Sequence, residues 1–137
     1  MHMSHSLTKF VPAIVLLAIA LFFFSPYLNF AQLPYAGDYT GSDLTELNIP
    51  LRFLAAQQIN EGHIPLWSDL LSNGFPLLAE GQAGVFYPLN LLHYWLFPFI
   101  PGIVIGIVLH YFLAALFTYF LCREYKMSAT GALIAAL

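Results

Sequence analysis

The sequence predicts an all-α polytopic membrane protein, and three observations carry that prediction. Of the 137 residues, 60% are hydrophobic and only 8% are charged, where soluble domains charge roughly a quarter of their residues. Two long stretches, residues 10–30 and 81–121, contain no Asp, Glu, Lys or Arg. The few cations flank these stretches: Lys9 precedes the first, and Arg123 and Lys126 follow the second.

Residues 1–9 form a short tail that ends in Lys9. Residues 10–30 are expected to be the first transmembrane helix, since their only polar side chains are Ser25, Tyr27 and Asn29. At 1.5 Å per residue they reach about 30 Å, the thickness of a bilayer core. A cleaved signal peptide is the competing reading. The apolar run exceeds the usual signal core, and Asn29-Phe30-Ala31 is a poor small-residue cleavage site, so a retained helix is expected.

Residues 31–100 are expected to form a long outer loop that contains two interfacial helices. The first runs over about 43–61. Ser42 or Asp43 is its N-cap, and Leu44, Leu47, Leu51, Leu54, Ala55 and Ile59 recur at spacings of three and four. Such a stripe would lie on the membrane surface or on other helices. Pro50 interrupts the pattern, so the helix kinks there or restarts with Pro50 at its first position, and Gly62 ends it. Asp43 and Glu46, three residues apart, share a face near its start. The simplest account of Asp43 is a cap that complements the helix dipole, worth about 1 kcal/mol.

The stretch that follows is rich in Gly, Pro and aromatics, which predicts an ordered irregular loop with fixed turns. Trp67, Phe86 and Tyr87 suit a position where lipid meets water. Asp38, Asp69 and Glu80 read as turn-formers or solvated charges, and the spacing of His63, Asp69 and Glu80 matches no metal motif. The second interfacial helix is expected over 89–97.

Residues 101–121 are the second predicted span, set off by Pro98 and Pro101. His110 falls near its middle, where an ionisable group is a functional candidate. The simpler reading of His110 is a neutral imidazole bonded to a neighbouring helix. Gly102 and Gly106 form a Gly-x-x-x-Gly pair suited to close helix packing. Residues 122–127 form a turn that holds Cys122, the only cysteine, so no internal disulfide staples the loop. Cys122 is read as an unreactive thiol, with palmitoylation as the alternative. Residues 128–137 begin a third apolar helix too short to cross, which leads us to expect a longer parent protein.

The cations set the expected orientation, with the N-terminus in the cytoplasm and loop 31–100 outside. Within the loop only Arg52 stands against six acids. A net charge of −3 without any basic cluster argues against a nucleic-acid partner. No phosphate-binding glycine loop, Gly-x-Ser-x-Gly elbow or His-Glu-x-x-His occurs, so soluble-enzyme chemistry is not indicated.

The order "SDL" (Ser42–Leu44), Pro50, "EGHIPLWSD" (Glu61–Asp69), "NGFPLLAEGQ" (Asn73–Gln82) and "VFYPLNLL" (Val85–Leu92) resembles the N-terminal region of YfhO-like bacterial membrane proteins, which belong to the GT-C glycosyltransferase superfamily. The resemblance covers roughly residues 36–137. It implies the opening module of a multi-pass plasma-membrane enzyme that transfers a sugar from a polyprenyl phosphate donor in the bilayer to an envelope glycan, protein or lipid acceptor. It also implies an acidic residue on the first outer loop, close to the membrane and facing the acceptor, and Asp43 is the matching position. Asp43 would act as general base or hold a divalent cation, with Glu46 as a secondary candidate; Arg52 is a weaker candidate for binding donor phosphate, beside the reading of a solvated or snorkelling side chain. Two other readings stand beside this one. The first is a transporter, flippase or assembly subunit, for which His110 matters more than Asp43. The second is an inert fragment.

Overall fold

A computed structural model describes residues 10–34 and 42–137. Lys9 and Asp38 lie outside the described residues, as does the whole predicted tail 1–9. Among the described residues the chain is helical, with one isolated bridge between Ser68 and Phe75 and no strand. It divides into two compact units, one of residues up to Asn29 with Ile107–Leu137, the other Phe30–Gly106.

In the first unit, α1 covers Val11–Phe23 and begins with Pro12 in its first turn, where the missing N–H has no partner to lose. Its end corrects the predicted 10–30 helix. Pro26 has no N–H for the Phe22 carbonyl and its ring would crowd that carbonyl, so the chain turns into a short 3₁₀ segment at Ser25–Tyr27. Thirteen residues reach only about 20 Å. A helix α4 at Phe99–Glu124 supplies most of the rest of this unit, followed by α5 at Ala129–Ala135, whose Ser128 accepts a 3.1 Å hydrogen bond from the Gly131 N–H. Leu16, Tyr119 and Ala132 form its small core, with Cys122 at the edge.

α4 is longer than predicted at both ends. Pro98 precedes it and Pro101 lies in its first turn, where proline is tolerated, so the uncharged stretch 81–121 is divided at these prolines as expected. At its end, Met127 N–H bonds the Cys122 carbonyl and Lys126 N–H bonds the Arg123 carbonyl, with Lys126 at φ +60°. That pattern is a Schellman stop with lysine where glycine is usual. The predicted turn 122–127 thus shortens to 125–128. Among the described residues α4 is the one helix long and apolar enough to cross a membrane, and only 28% of its most apolar stretch is buried.

In the second unit a π turn at Leu44–Asn48 runs directly into α2 at Ile49–Asn60. Pro50 again supplies the reason. It cannot donate to the Glu46 carbonyl and its ring would strike that carbonyl, and the wider i→i+5 register, seen in the bond from Ile49 N–H to the Leu44 carbonyl, relieves the clash. Gly62, at φ +81°, ends α2 as expected. The apolar stripe of α2 has a different cover from the predicted one. Leu51 and Ala55 are buried under Leu77, Ala83 and Val85 of the irregular segment, which folds back over the helix.

That segment is ordered by its own polar contacts. Asp69 accepts from the Trp67 indole at 2.9 Å, Gln58 donates to the Trp67 carbonyl at 2.8 Å, and Glu80 caps the 3₁₀ turn Gly81–Ala83 through the Ala83 N–H at 2.8 Å. Asp69 and Glu80 are therefore turn-formers. Leu51→Ala is expected to cost about 2–5 kcal/mol by opening a cavity in this core. Denaturant unfolding in a mild detergent, followed by circular dichroism, measures it.

Candidate site: an acidic π turn and a polar seam

The sequence places Asp43, Glu46 and Arg52 on one continuous helical element, and the structure keeps them there. Asp43 opens the π turn with helical backbone (φ −54°, ψ −27°) and its side chain makes no capping hydrogen bond. This corrects the capping role expected for Asp43, because a cap needs extended backbone to aim its oxygen at the N2 or N3 amide. The first amides are satisfied elsewhere: Thr45 and Glu46 N–H both bond the Ser42 carbonyl, at 3.0 and 2.9 Å. Asn48 donates to the Asp43 carbonyl at 3.0 Å, which fastens the backbone and leaves the carboxylate out of the network. Asp43 and Glu46 are both exposed. The turn thus presents two carboxylates that no structural bond among the described residues employs.

His110 belongs to the other unit, half-buried within α4. Among the described residues no cluster of three or more His, Cys, Asp or Glu could hold a metal ion. Asp43 and Glu46 are the two acids of this element, and a magnesium ion is commonly held by one or two carboxylates together with waters and substrate phosphates.

The second helix expected over 89–97 is α3, at Pro88–Leu96, and what sequence reasoning missed is that it buries its polar residues and exposes its apolar ones. Asn90, His93 and Tyr94 face inward, while Leu92, Leu96 and Trp95 face outward, Trp95 at 75% exposure. Asn90 donates to the Gly84 carbonyl at 3.0 Å and holds the turn that starts the helix. His93 packs on Gly102 and Gly106 of α4, so the glycine pair does serve close helix packing. The signal was available: residues 90, 93 and 94 are polar at spacings of three and four within "PLNLLHYWL".

Where α2 packs on α3, Arg52 faces Tyr94 and Ile59 lies with Pro88 and Leu91, so the two helices run antiparallel. Phe99 closes the Arg52 end, stacking on Tyr94 (6.4 Å, 26°) and meeting Phe53 edge-on (5.3 Å, 85°). Tyr94 is 3% exposed, and neither its hydroxyl nor the Arg52 Nε has a hydrogen-bond partner among the described residues. Each such buried group costs on the order of 1–3 kcal/mol.

Burial pushes the Tyr94 phenol above the ordinary tyrosine range, and the Arg52 charge pulls partly the other way. The folded chain therefore holds this proton more tightly than the unfolded chain does. The associated stability is complete below the unfolded value, about pH 10, and is lost as pH rises beyond it. Tyr94→Phe is expected to lose stability less steeply than wild type above about pH 10 and to show the same slope at pH 7–9. Denaturant midpoints across that range measure it.

No family model, curated protein or solved structure matches this chain.

Proposed function

We propose that the chain is part of an integral membrane glycosyltransferase of the GT-C type, one that moves a sugar from a polyprenyl phosphate donor to a cell-envelope acceptor on the outer face of a bacterial plasma membrane. The observation that carries this reading is the uncommitted carboxylate of Asp43 on a π turn. Single π turns inside helices occur frequently at functional sites, and here the turn carries two free acids. The membrane part rests on α4 and on apolar side chains turned outward. α1 exposes Phe22 at 82%, and α3 exposes Leu92, Trp95 and Leu96. A water-soluble domain would bury such surface, whereas lipid accepts it.

In this reading Asp43 takes the proton of an acceptor hydroxyl as its oxygen attacks the anomeric carbon. The bond from that carbon to the phosphate oxygen breaks, and its electron pair leaves with the polyprenyl phosphate. Arg52, the cation of the same element, offsets the charge on the departing phosphate. Glu46 is the second acid of the turn and His110 has no role in the step.

Lipid-linked sugar transfer in membranes, with wild type, Asp43→Asn and His110→Ala at matched expression, tests the reading. Loss of transfer in Asp43→Asn alone supports it. Full activity in that variant removes Asp43 from the chemistry. Absence of transfer in wild type, with His110→Ala impairing passage of a solute or lipid, replaces the reading with the transporter.

A further inference from the structure

Residues 67–75 form a closed loop that holds one aromatic ring in a fixed place. Ser68 and Phe75 exchange backbone hydrogen bonds at 2.9 and 2.8 Å, and the Gly74 N–H bonds the Leu71 carbonyl at 2.7 Å across Ser72 and Asn73. Those two residues have φ of +48° and +61°, the pattern of a type I′ turn, and Gly74 follows at +123°. The turn brings Gly74 against Trp67. A Cβ at Gly74 would stand 2.4 Å from the indole Cζ2, so the backbone lies directly on the ring there. Asp69 Oδ1 takes the indole N–H at 2.9 Å, and Gln58 holds the Trp67 carbonyl at 2.8 Å. Trp67 nevertheless stays 50% exposed, and Asp69, Ser72 and Asn73 of the same loop are exposed with it.

We propose that Trp67 is a stacking platform for a neutral pyranose unit of a glycan, with the second carboxylate oxygen of Asp69 accepting one of its hydroxyls. A pyranose offers a face of C–H groups that packs on an aromatic ring and a rim of hydroxyls that need hydrogen-bond partners. The loop supplies both. Its indole N–H is already satisfied, so what the ring has left to offer is its surface, and a ring fixed in advance removes an ordering cost from binding. The Asp69 carboxylate disfavours uronic acids and phosphosaccharides by like-charge repulsion, which selects a neutral sugar. Leu66 and Leu70 are exposed on either side of it and would suit a lipid surface as the other occupant. Asp69 opposes that occupant, because its charge is fastened to the ring edge and would enter the hydrocarbon with it. The role of the glycan as acceptor rests on the glycosyltransferase reading, whereas its binding stands without any chemistry at Asp43.

The test uses the full chain carrying Trp95→Phe, which leaves Trp67 as the single tryptophan, in a polyoxyethylene detergent without a sugar headgroup. Cellotetraose and tetra-N-acetylchitotetraose are titrated as neutral probes and tetragalacturonate as a charged one. Trp67 fluorescence and NMR saturation transfer from aromatic protons to sugar C–H protons report binding. The expected result is a saturable fluorescence change with a neutral probe, transfer strongest to the C–H protons of one sugar face, and several-fold weaker binding of the uronate. Trp67→Ala, read by saturation transfer, should weaken binding about ten-fold or more, and Trp67→Phe, which keeps a ring, should weaken it less. Asp69→Asn keeps an oxygen for the indole N–H and removes the charge, so it should narrow the preference for neutral over charged probes. A merely structural Asp69 would leave that ratio unchanged.

No saturable response to either neutral probe overturns the platform, as does undiminished binding by Trp67→Ala at unchanged circular dichroism. Equal binding of the uronate overturns the Asp69 contact. Quenching of Trp67 by a nitroxide-labelled detergent, without a response to sugar, puts the ring in lipid and likewise overturns the proposal. Sugar binding together with a fully active Asp43→Asn would keep this proposal and sink the catalytic one, and loss of transfer in Asp43→Asn without sugar binding would do the reverse.

Discussion

Asp43→Asn is expected to lower sugar transfer by roughly 10²–10⁴-fold, the usual contribution of a positioned acid or base, at unchanged helix content and thermal midpoint. Both halves follow from the geometry at the π turn. The Asp43 side chain makes no capping hydrogen bond and is exposed, so its charge can be removed without leaving an amide unsatisfied. Asparagine keeps the size and cannot accept a proton. Had Asp43 been a cap, asparagine would have served about as well and activity would have survived. Glu46→Gln should have a smaller effect on transfer and an equally small one on stability. A large loss of thermal stability in Asp43→Asn would show that the carboxylate is structural. Transfer assays at matched expression, paired with thermal melts followed by circular dichroism, distinguish the outcomes.

Gly106→Val is expected to destabilise the second unit by about 1–3 kcal/mol, and shortening His93 should recover much of that loss. A Cβ at Gly106 would sit 2.7 Å from the His93 Cε1, and His93 is itself buried, so the ring has no open space to move into. Gly102→Ala is the useful contrast. Its Cβ would lie 3.2 Å from the His93 carbonyl oxygen, and the roughly 1 kcal/mol by which alanine favours a helix over glycine offsets most of that crowding. In Gly106→Val with His93→Ala, an interaction energy of about 0.5–3 kcal/mol is expected from the double-mutant cycle. Simple additivity would mean that the close packing of α3 on α4 is not what the glycine serves. Denaturant unfolding of the four variants in detergent supplies the numbers.

Most helices could be read from the sequence because their signals are local. The spacing of Leu51, Leu54, Ala55 and Ile59 with Gly62 behind it located α2, and the apolar run after Pro98 located α4 to within three residues at each end. Prolines were the main source of error. Pro26 ended a helix that composition alone extended to residue 30, and Pro50 turned the start of the first loop helix into a π turn. The cover over α2 was illegible for another reason. Leu77, Ala83 and Val85 come from an aperiodic segment, and nothing local links them to Leu51. At the candidate site, Asp43, Glu46 and Arg52 were legible as residue types on one element. The missing parts were the π register, which left the acids free, and Tyr94, which needed the neighbouring helix to give it meaning.

The π turn also sets an angle. An i→i+5 turn holds one residue more than an α-helical turn would, and each residue of an α-helix advances the chain by about 100°. The turn takes up that extra residue within itself, so Asp43 and Arg52 keep close to the relation that an α-helix one residue shorter would give them. A residue inserted into α2 between Leu51 and Arg52 has no such turn to absorb it and would swing Asp43 by about 100° around the axis from Arg52, with both side chains retained. The same change of length is thus absorbed on one side of Pro50 and separates the acid from the cation on the other.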